Sequence, residues 1–422
     1  MVNQAFLKLP AIDVAVVGAG AAGLAAAIFA ARRMPGCQIV ALDGAKKLGA
    51  KILVAGGGRC NVTNERVQAA DFWGGSRNTI KQILAAFTAE AAVDFFREIG
   101  VEMHVEEHGK FFPNTNSAKT VLAALLAEAE RRGVSLAADH RVLEIARRDD
   151  GFLVETSQEG IRARAVVLAT GGRSLPKTGS DGGGYALAEK LGHTLVATTP
   201  GLAPLTLNGD FHVPLSGVSL EVELAVCVEN EKPLKHRGAM LWTHFGVSGP
   251  AALDVSRHWH RAALNGKKVE LFANFFPDVH AAEVERKLIA LSQSQPRTIL
   301  ENALATLVPA RLAEAVLKEL DIESRTMMAH LSKETRGKLA AAMTHWPLPV
   351  RDSRGYNFAE VTAGGVPLRE IDPQTMESRV CPGLFLVGEI LDVDGRIGGF
   401  NFQWAWSSGF VAAIGLAKRL GE

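Results

Sequence analysis

The sequence predicts an α/β fold in which a mainly parallel sheet is entered at the N-terminus, left for an inserted domain and re-entered near the C-terminus. Three observations predict it. A buried strand passes through a glycine-rich turn into a helix within residues 12–33, and a three-stranded meander ends on a second buried strand within residues 141–172. The alternating texture of residues 197–350 then gives way to strand, turn and a closing helix.

Bulk composition bounds the rest. At 422 residues, 47% apolar and 22% charged, the chain is of ordinary globular make-up, with room for two or three domains. A formal charge of +1 argues against a strong general attraction to nucleic acid, while leaving room for a local basic patch. Cys37, Cys60, Cys227 and Cys381 form no C-x-x-C pair, so neither a zinc ribbon nor a redox dithiol is spelled out and a reducing compartment fits best. No charged leader precedes the first strand, and no apolar run reaches the length of about 18 residues that a membrane helix needs. The expectation is a soluble cytoplasmic protein without a membrane partner.

Residues 12–43 read as one β-α-β unit: IDVAVV is a central strand, AGLAAAIFAARR a helix of strong formers, Pro35-Gly36 a break, and CQIVALD a second strand. At the first strand-to-helix turn, Gly18, Ala19, Gly20, Ala21, Ala22 and Gly23 spell G-x-G-x-x-G. There the turn must be tight, backbone must approach a pyrophosphate, and helix N–H groups must face the anion. Asp43 ends the second strand twenty residues past the last glycine, where a carboxylate accepts hydrogen bonds from a ribose. The signature is that of a dinucleotide-binding Rossmann domain.

Residues 79–99 and 117–132 show helical spacing, after which RVLEIARR, FLVETS and IRARAVVLATGG form the meander. The domain reading is 1–196 for the first part of the nucleotide domain, 197–276 for a β-rich insert, 277–345 for a helical part, 346–360 for a return strand of the insert, and 361–422 for the second part of the nucleotide domain.

A G-x-G-x-x-G domain holds NAD or FAD, and three downstream segments favour FAD. In VVLATGG a buried strand breaks into Ala169, Thr170, Gly171 and Gly172, small enough for backbone to meet the cofactor a second time. LFLVGEILDVDG delivers Gly388 and Glu389 and then Asp394 in an acid-rich turn. GGFNFQWAWSSG places Gly398 and Gly399 before a helix opening with Phe400, Asn401 and Phe402, whose N–H groups would stabilise negative charge on a reduced flavin.

With GGGRCNVTN, WTHFGVSGP and VTAGGV, these motifs resemble, in order and over nearly the whole chain, the BaiN/YhiN-type FAD-dependent flavoproteins. The resemblance implies a glutathione-reductase-like FAD-binding domain with an inserted β-barrel-like domain and a small helical part. It also implies FAD as cofactor, NAD(P)H as a transient reductant, and reduction of a C=C bond in an enone-type small molecule or in uridine of ribosomal RNA. It makes KILVAGGGRCN the loop over the FAD pyrophosphate: Ala55, Gly56, Gly57 and Gly58 give close backbone approach, Lys51 or Arg59 offsets phosphate charge, and Asn61 hydrogen-bonds nearby. Val142 joins the candidate contacts, and Cys60 becomes a packed small residue. The family more often has Ser at Ala55 and Tyr at Phe400, so two side-chain hydroxyls are missing here.

Four other features compete for a role. HVEEH (104–108) matches an inverted zinc-peptidase motif, but Val101, Met103 and Val105 alternate as in a strand entering a hairpin, and the motif needs a helix. RHWHR (257–261) reads as a solvated helix end with Trp259 tucked against the core rather than an RNA contact. GSDGGGY (179–185) reads as a flexible turn before a helix, so no separate NAD(P)H domain is visible. His244, among small residues at an expected strand-to-helix turn, is the candidate proton donor. An oxidase or hydroxylase using dioxygen, and an FAD-holding RNA-binding or redox-sensing module without turnover, are the alternatives.

Overall fold

A computed structural model describes residues 11–421, which divide into two compact units. One takes the chain up to Thr198 and again from Glu360; the other is Thr199–Ala359.

The first unit is built on strands β1 (Ala11–Val17), β2 (Ile39–Leu42), β3 (Ser135–Ala137), β4 (Val142–Arg148), β5 (Gly151–Thr156) and β6 (Gly160–Leu168). Their order is β3-β2-β1-β6-β5-β4, with Leu384–Leu386 pairing in parallel with the end of β6. On the edge away from β1, β6 therefore serves two ladders. Its first residues pair antiparallel with β5, completing the meander, and its last three carry the parallel sheet onward. Helix α1 (Ala21–Arg33) is buried from Ala22 to Ala31, which explains its run of alanines: large side chains have no space. Helix α2 (Ala50–Val54) leads into the GGG turn, and α3 (Gly183–Lys190) follows β6. Residues 79–99, expected as one helical stretch, form two helices, Arg77–Ala86 and Ala89–Glu98. The break is local chemistry: Thr88 turns extended and its hydroxyl accepts from Ala91 N–H at 3.2 Å, restarting the helix.

The second unit holds a seven-stranded antiparallel sheet of β7 (Leu205–Leu207), β8 (Ser219–Val228), β9 (Leu234–Thr243), β10 (Gly246–Ser248), β11 (Val269–Asn274), β12 (Trp346–Leu348) and β13 (Val350–Ser353). Its order is β12-β11-β8-β9-β10-β7-β13. The two edge strands are joined by Pro349 alone, so the sheet must curl until its edges meet, which is the expected barrel-like form. Helix α4 (Pro250–Leu264) lies on β8 and β9, and helices Ala281–Ser294, Ala310–Glu319 and Lys333–Thr344 complete the unit. Ser332 marks the start of the last of these by accepting from Thr335 N–H at 3.0 Å.

The chain ends in α5 (Phe400–Leu420), which packs along α1. At the crossing a Cβ on Gly409 would lie 2.9 Å from both Ala25 Cβ and Ala26 N, so only glycine admits this approach.

Candidate functional site

Five separate sequence segments meet in the first unit. Gly18 donates its N–H to Leu42 O at 2.8 Å, joining the GAGAAG turn to β2, and a Cβ on Gly18 would stand 2.4 Å from Ala169 O, so the ATGG turn lies directly against it. A Cβ on Gly388 would meet Ala22 Cβ at 2.6 Å, and Gly388 O accepts from the Trp404 indole at 3.1 Å, which links α1, the Gly388-Glu389 turn and α5. Gly172 faces Glu389 Oε1 and Thr362 Oγ1. At the α5 N-terminus, a Cβ on Gly399 would stand 2.5 Å from Thr63 O, which brings in GGGRCNVTN.

Space remains where a ligand needs it. A Cβ on Gly20 or on Gly57 meets nothing within 4 Å, whereas one on Gly18 or Gly23 would collide with backbone. Gly20 and Gly399 are the N-caps of α1 and α5, with no side-chain cap and no acid in either first turn. Two long helices thus begin on glycine with uncapped N–H groups, the arrangement that receives an anion or an electron-rich ring edge. These features fit FAD.

Asp43 accepts from Ala19 N–H at 2.9 Å and Ala45 N–H at 2.8 Å, which fixes its carboxylate beside the glycine turn. Val142 is half-buried at the start of β4, next to Arg141, whose Cβ would lie 3.1 Å from a Cβ on Gly44. The GSDGGGY turn is no free loop: Ser180 is buried, a Cβ on Gly171 would stand 2.6 Å from its hydroxyl, and Gly179 faces Asp43. Sequence reasoning set this turn apart because no strand precedes it, yet three glycines and a serine ahead of a helix were the signal.

Glu389 is the hub of a second cluster. Its Oε1 accepts from Thr362 N–H at 2.9 Å and Ser174 Oγ–H at 2.8 Å, while Lys51 Nζ donates to its Oε2 and to Ser174 Oγ. Thr362 Oγ1 in turn accepts from Arg173 and Ser174 N–H at 2.7 and 3.1 Å. Ser174 was absent from the sequence reading and Thr362 entered it only within VTAGGV, with no role of its own; lone hydroxyl residues carry no spacing signal. Arg59 stands elsewhere, bound to Glu106 at 2.6 Å with its guanidinium 4.0 Å from the Phe112 ring centre. Hydrogen bonding to Arg59 and then to His104 holds the Glu106 carboxyl below its usual range.

Gly56 and Gly57 take left-handed conformations (φ 57° and 68°), which non-glycine residues adopt in succession only at high cost. With its amide oriented to suit the neighbours, Asn61 donates to Thr63 O at 2.9 Å and accepts from Gly399 N–H at 3.1 Å. Asn401 clasps Gly395 from both sides, at 2.8 and 2.9 Å. Asp394 is buried in a strand opposite Trp73, Phe400 is buried, and Phe402 stacks on Trp406 with centroids 5.5 Å apart. Cys60 is fully buried, and burial pushes its thiol up to about 12.

In the second unit His244 is exposed in the two-residue turn between β9 and β10, a hairpin rather than the expected strand-to-helix turn. RHWHR lies within α4 and is not a solvated end: Arg257 and His260 are buried. Burial, then Arg257 and His236, push the His258 imidazole down to about 3. HVEEH enters a hairpin, Met103–Glu106 against Lys110–Pro113. One triad-like set occurs in the first unit, where Ser378 Oγ lies 2.9 Å from His193 Nε2 and His193 Nδ1 lies 2.8 Å from Glu370. Ser378 is buried and already accepts from Val380 and Cys381 N–H, so it is a structural clasp and no nucleophile.

The Rossmann sheet and these glycine turns define an FAD-dependent oxidoreductase. The HI0933-like protein Rossmann domain model matches residues 12–415, and the chain belongs to that family. It is 32% identical to a 3-dehydro-bile acid delta(4,6)-reductase of Clostridium scindens, covering 96% of this chain and 99% of that one. To a ribosomal RNA dihydrouridine synthase of Escherichia coli it is 35% identical, covering 95% and 97%. Among solved structures, a quinol-fumarate reductase shares its fold at TM-score 0.53, with 19% identity and 98% and 72% of the two chains covered. A 3-ketosteroid delta1-dehydrogenase of Sterolibacterium denitrificans does so at TM-score 0.51, with 14% identity, 97% and 100%. Among the described residues no helix is long and apolar enough to cross a membrane.

Proposed function

We propose that the protein is an NAD(P)H-linked reductase that saturates a C=C bond conjugated to a carbonyl, in an enone-type small molecule or in uridine of ribosomal RNA. The single observation that carries this reading is that two relatives matching almost end to end bear names for saturation of such a bond, in a bile acid and in uridine.

FAD, when bound, supplies the hydride transfer. The chain supplies the rest. The α1 N-terminus with Gly18 to Gly23 receives the diphosphate, and the GGG turn of residues 56–58 covers it. Asp43 takes the ribose beside Val142, and the ATGG turn of residues 169–172 lies against Gly18. Glu389, held by Lys51, Ser174 and Thr362, presents a fixed carboxylate to the ribityl hydroxyls, which makes Lys51 a positioning residue rather than a phosphate ligand. The α5 N-terminus, set by Gly398, Gly399, Asn61 and Asn401, offers N–H groups to the electron-rich edge of the ring. His244 is the proposed proton donor to the carbon beside the one that receives hydride. NAD(P)H binds transiently.

Anaerobic addition of NADH or NADPH to the purified holoprotein tests the reading. Bleaching of the yellow flavin, followed by return of colour on adding a steroid enone or ribosomal RNA lacking dihydrouridine, is expected. No bleaching by either nucleotide, or rapid peroxide release in air, would contradict it.

A further inference from the structure

We propose that Arg354, whose guanidinium lies over the rings of both Phe245 and Phe358, is an oxyanion-binding site of the inserted unit that anchors the acceptor through a carboxylate or phosphate oxygen. The inference rests on the reductase reading and deepens it by naming what holds the acceptor.

The guanidinium carbon lies 3.5 Å from the centre of the Phe358 ring and 4.7 Å from that of Phe245, all three within one compact unit. Stacking with these rings engages the faces of the planar cation, while its N–H donors lie in the plane, at the edge. Among the described residues no acceptor meets that edge, although Arg354 is exposed. The nearest carboxylate in sequence, Asp352, is engaged at home by accepting from Ser353 N–H at 2.7 Å.

The frame around the cation is fixed. Arg354 N–H donates to Pro204 O at 3.0 Å, and Phe358 and Ala359 N–H both donate to Gly355 O at 3.1 Å, closing the turn that carries Phe358. Phe245 O accepts from Leu207 N–H at 3.1 Å. Phe358 is 45% exposed, a position at which a phenyl ring gains little from folding and more from holding a neighbour. A stacked guanidinium loses little freedom on binding, and its fork matches the two oxygens of a carboxylate or phosphate. His244 adjoins Phe245 on the same turn, so a donor of one proton stands beside the anchor.

The test uses full-length holoprotein and three probes: a steroid enone with a side-chain carboxylate, its methyl ester, and a single-stranded oligouridylate. Binding is followed by titration calorimetry for wild type, Arg354→Met and Arg354→Lys, with FAD content and melting temperature checked for each. The expected result is that the carboxylate or the oligouridylate binds wild type, that Arg354→Met weakens it at least tenfold, and that Arg354→Lys restores only part because it lacks the planar fork. Which probe responds separates carboxylate from phosphate, and the methyl ester is expected to be insensitive to the substitution. Equal binding of every probe to wild type and Arg354→Met, or equal loss of the ester, would overturn the inference. Failure of the underlying reading looks different: wild type itself would hold no FAD or would not bleach.

Discussion

A β-carbon at Gly23 would lie 1.8 Å from the Gly18 carbonyl oxygen, whereas one at Gly20 meets open space. The two glycines therefore make separable predictions. Gly23→Ala forces backbone apart and costs more than about 3 kcal/mol, the upper end of ordinary overpacking. Gly20→Ala, at an extended φ of −83°, leaves the melting temperature of the apoprotein nearly unchanged and weakens FAD binding at least tenfold. Chemical denaturation and flavin titration of the two variants check this; equal FAD affinity of Gly20→Ala and wild type would remove the pyrophosphate from that turn. Cys60, with its thiol pushed up to about 12 by burial, is predicted to resist alkylation in the native protein and to react on unfolding, as peptide mass spectrometry would show. Rapid native labelling would make it a surface thiol. For His244, replacement by Ala is predicted to slow flavin reoxidation by the acceptor by about 100-fold or more, the usual scale of a lost general acid. An unchanged reoxidation rate would dismiss it.

At the scale of elements, hidden polar clasps tie segments together. His193 bridges Ser378 and Glu370, and although burial raises the Glu370 carboxyl, hydrogen bonds from Thr194 and His193 outweigh it and hold the group below its usual range. In α4 the sign of the pH effect is fixed by His258. Its folded value of about 3 lies below the ordinary 6.5, so the unfolded chain binds the proton first as pH falls. Stability from this imidazole is complete above 6.5 and is lost progressively toward 3. Its surroundings agree: Arg257 and His236 oppose a further positive charge, and Asp254, 3.1 Å from His236, is already engaged. Urea midpoints followed from about pH 7 down to about pH 4 should fall more steeply for wild type than for His258→Phe, which has no imidazole to charge. Parallel curves would contradict the assignment. The elements themselves were legible wherever period and punctuation agreed, as in GAGAAG after a buried strand or DDG and QEG between meander strands. They were illegible where one polar side chain decides, as at Thr88 or Ser332, and where burial of RHWHR depends on what packs over α4. Asp43 and the paired glycines could be read from spacing, but the Lys51-Ser174-Thr362-Glu389 cluster joins residues over 300 positions apart, which no local pattern encodes.

For the whole molecule, sequence order and function are interleaved: the chain builds half of a nucleotide unit, makes a separate antiparallel unit, and returns to supply Glu389 and α5. The first unit is therefore incomplete until the last residues arrive, and truncation before Phe400 is expected to abolish FAD retention, because α1 would lose the helix packed along it. The account as a whole stands on FAD being held by the turns gathered around Gly20, Gly57, Gly388 and Gly399. Its most direct test is the flavin content of native full-length protein, measured with the change in melting temperature on adding FAD to the stripped chain. The account predicts one FAD per chain and a clear rise in melting temperature; a colourless protein whose melting is indifferent to FAD would contradict it.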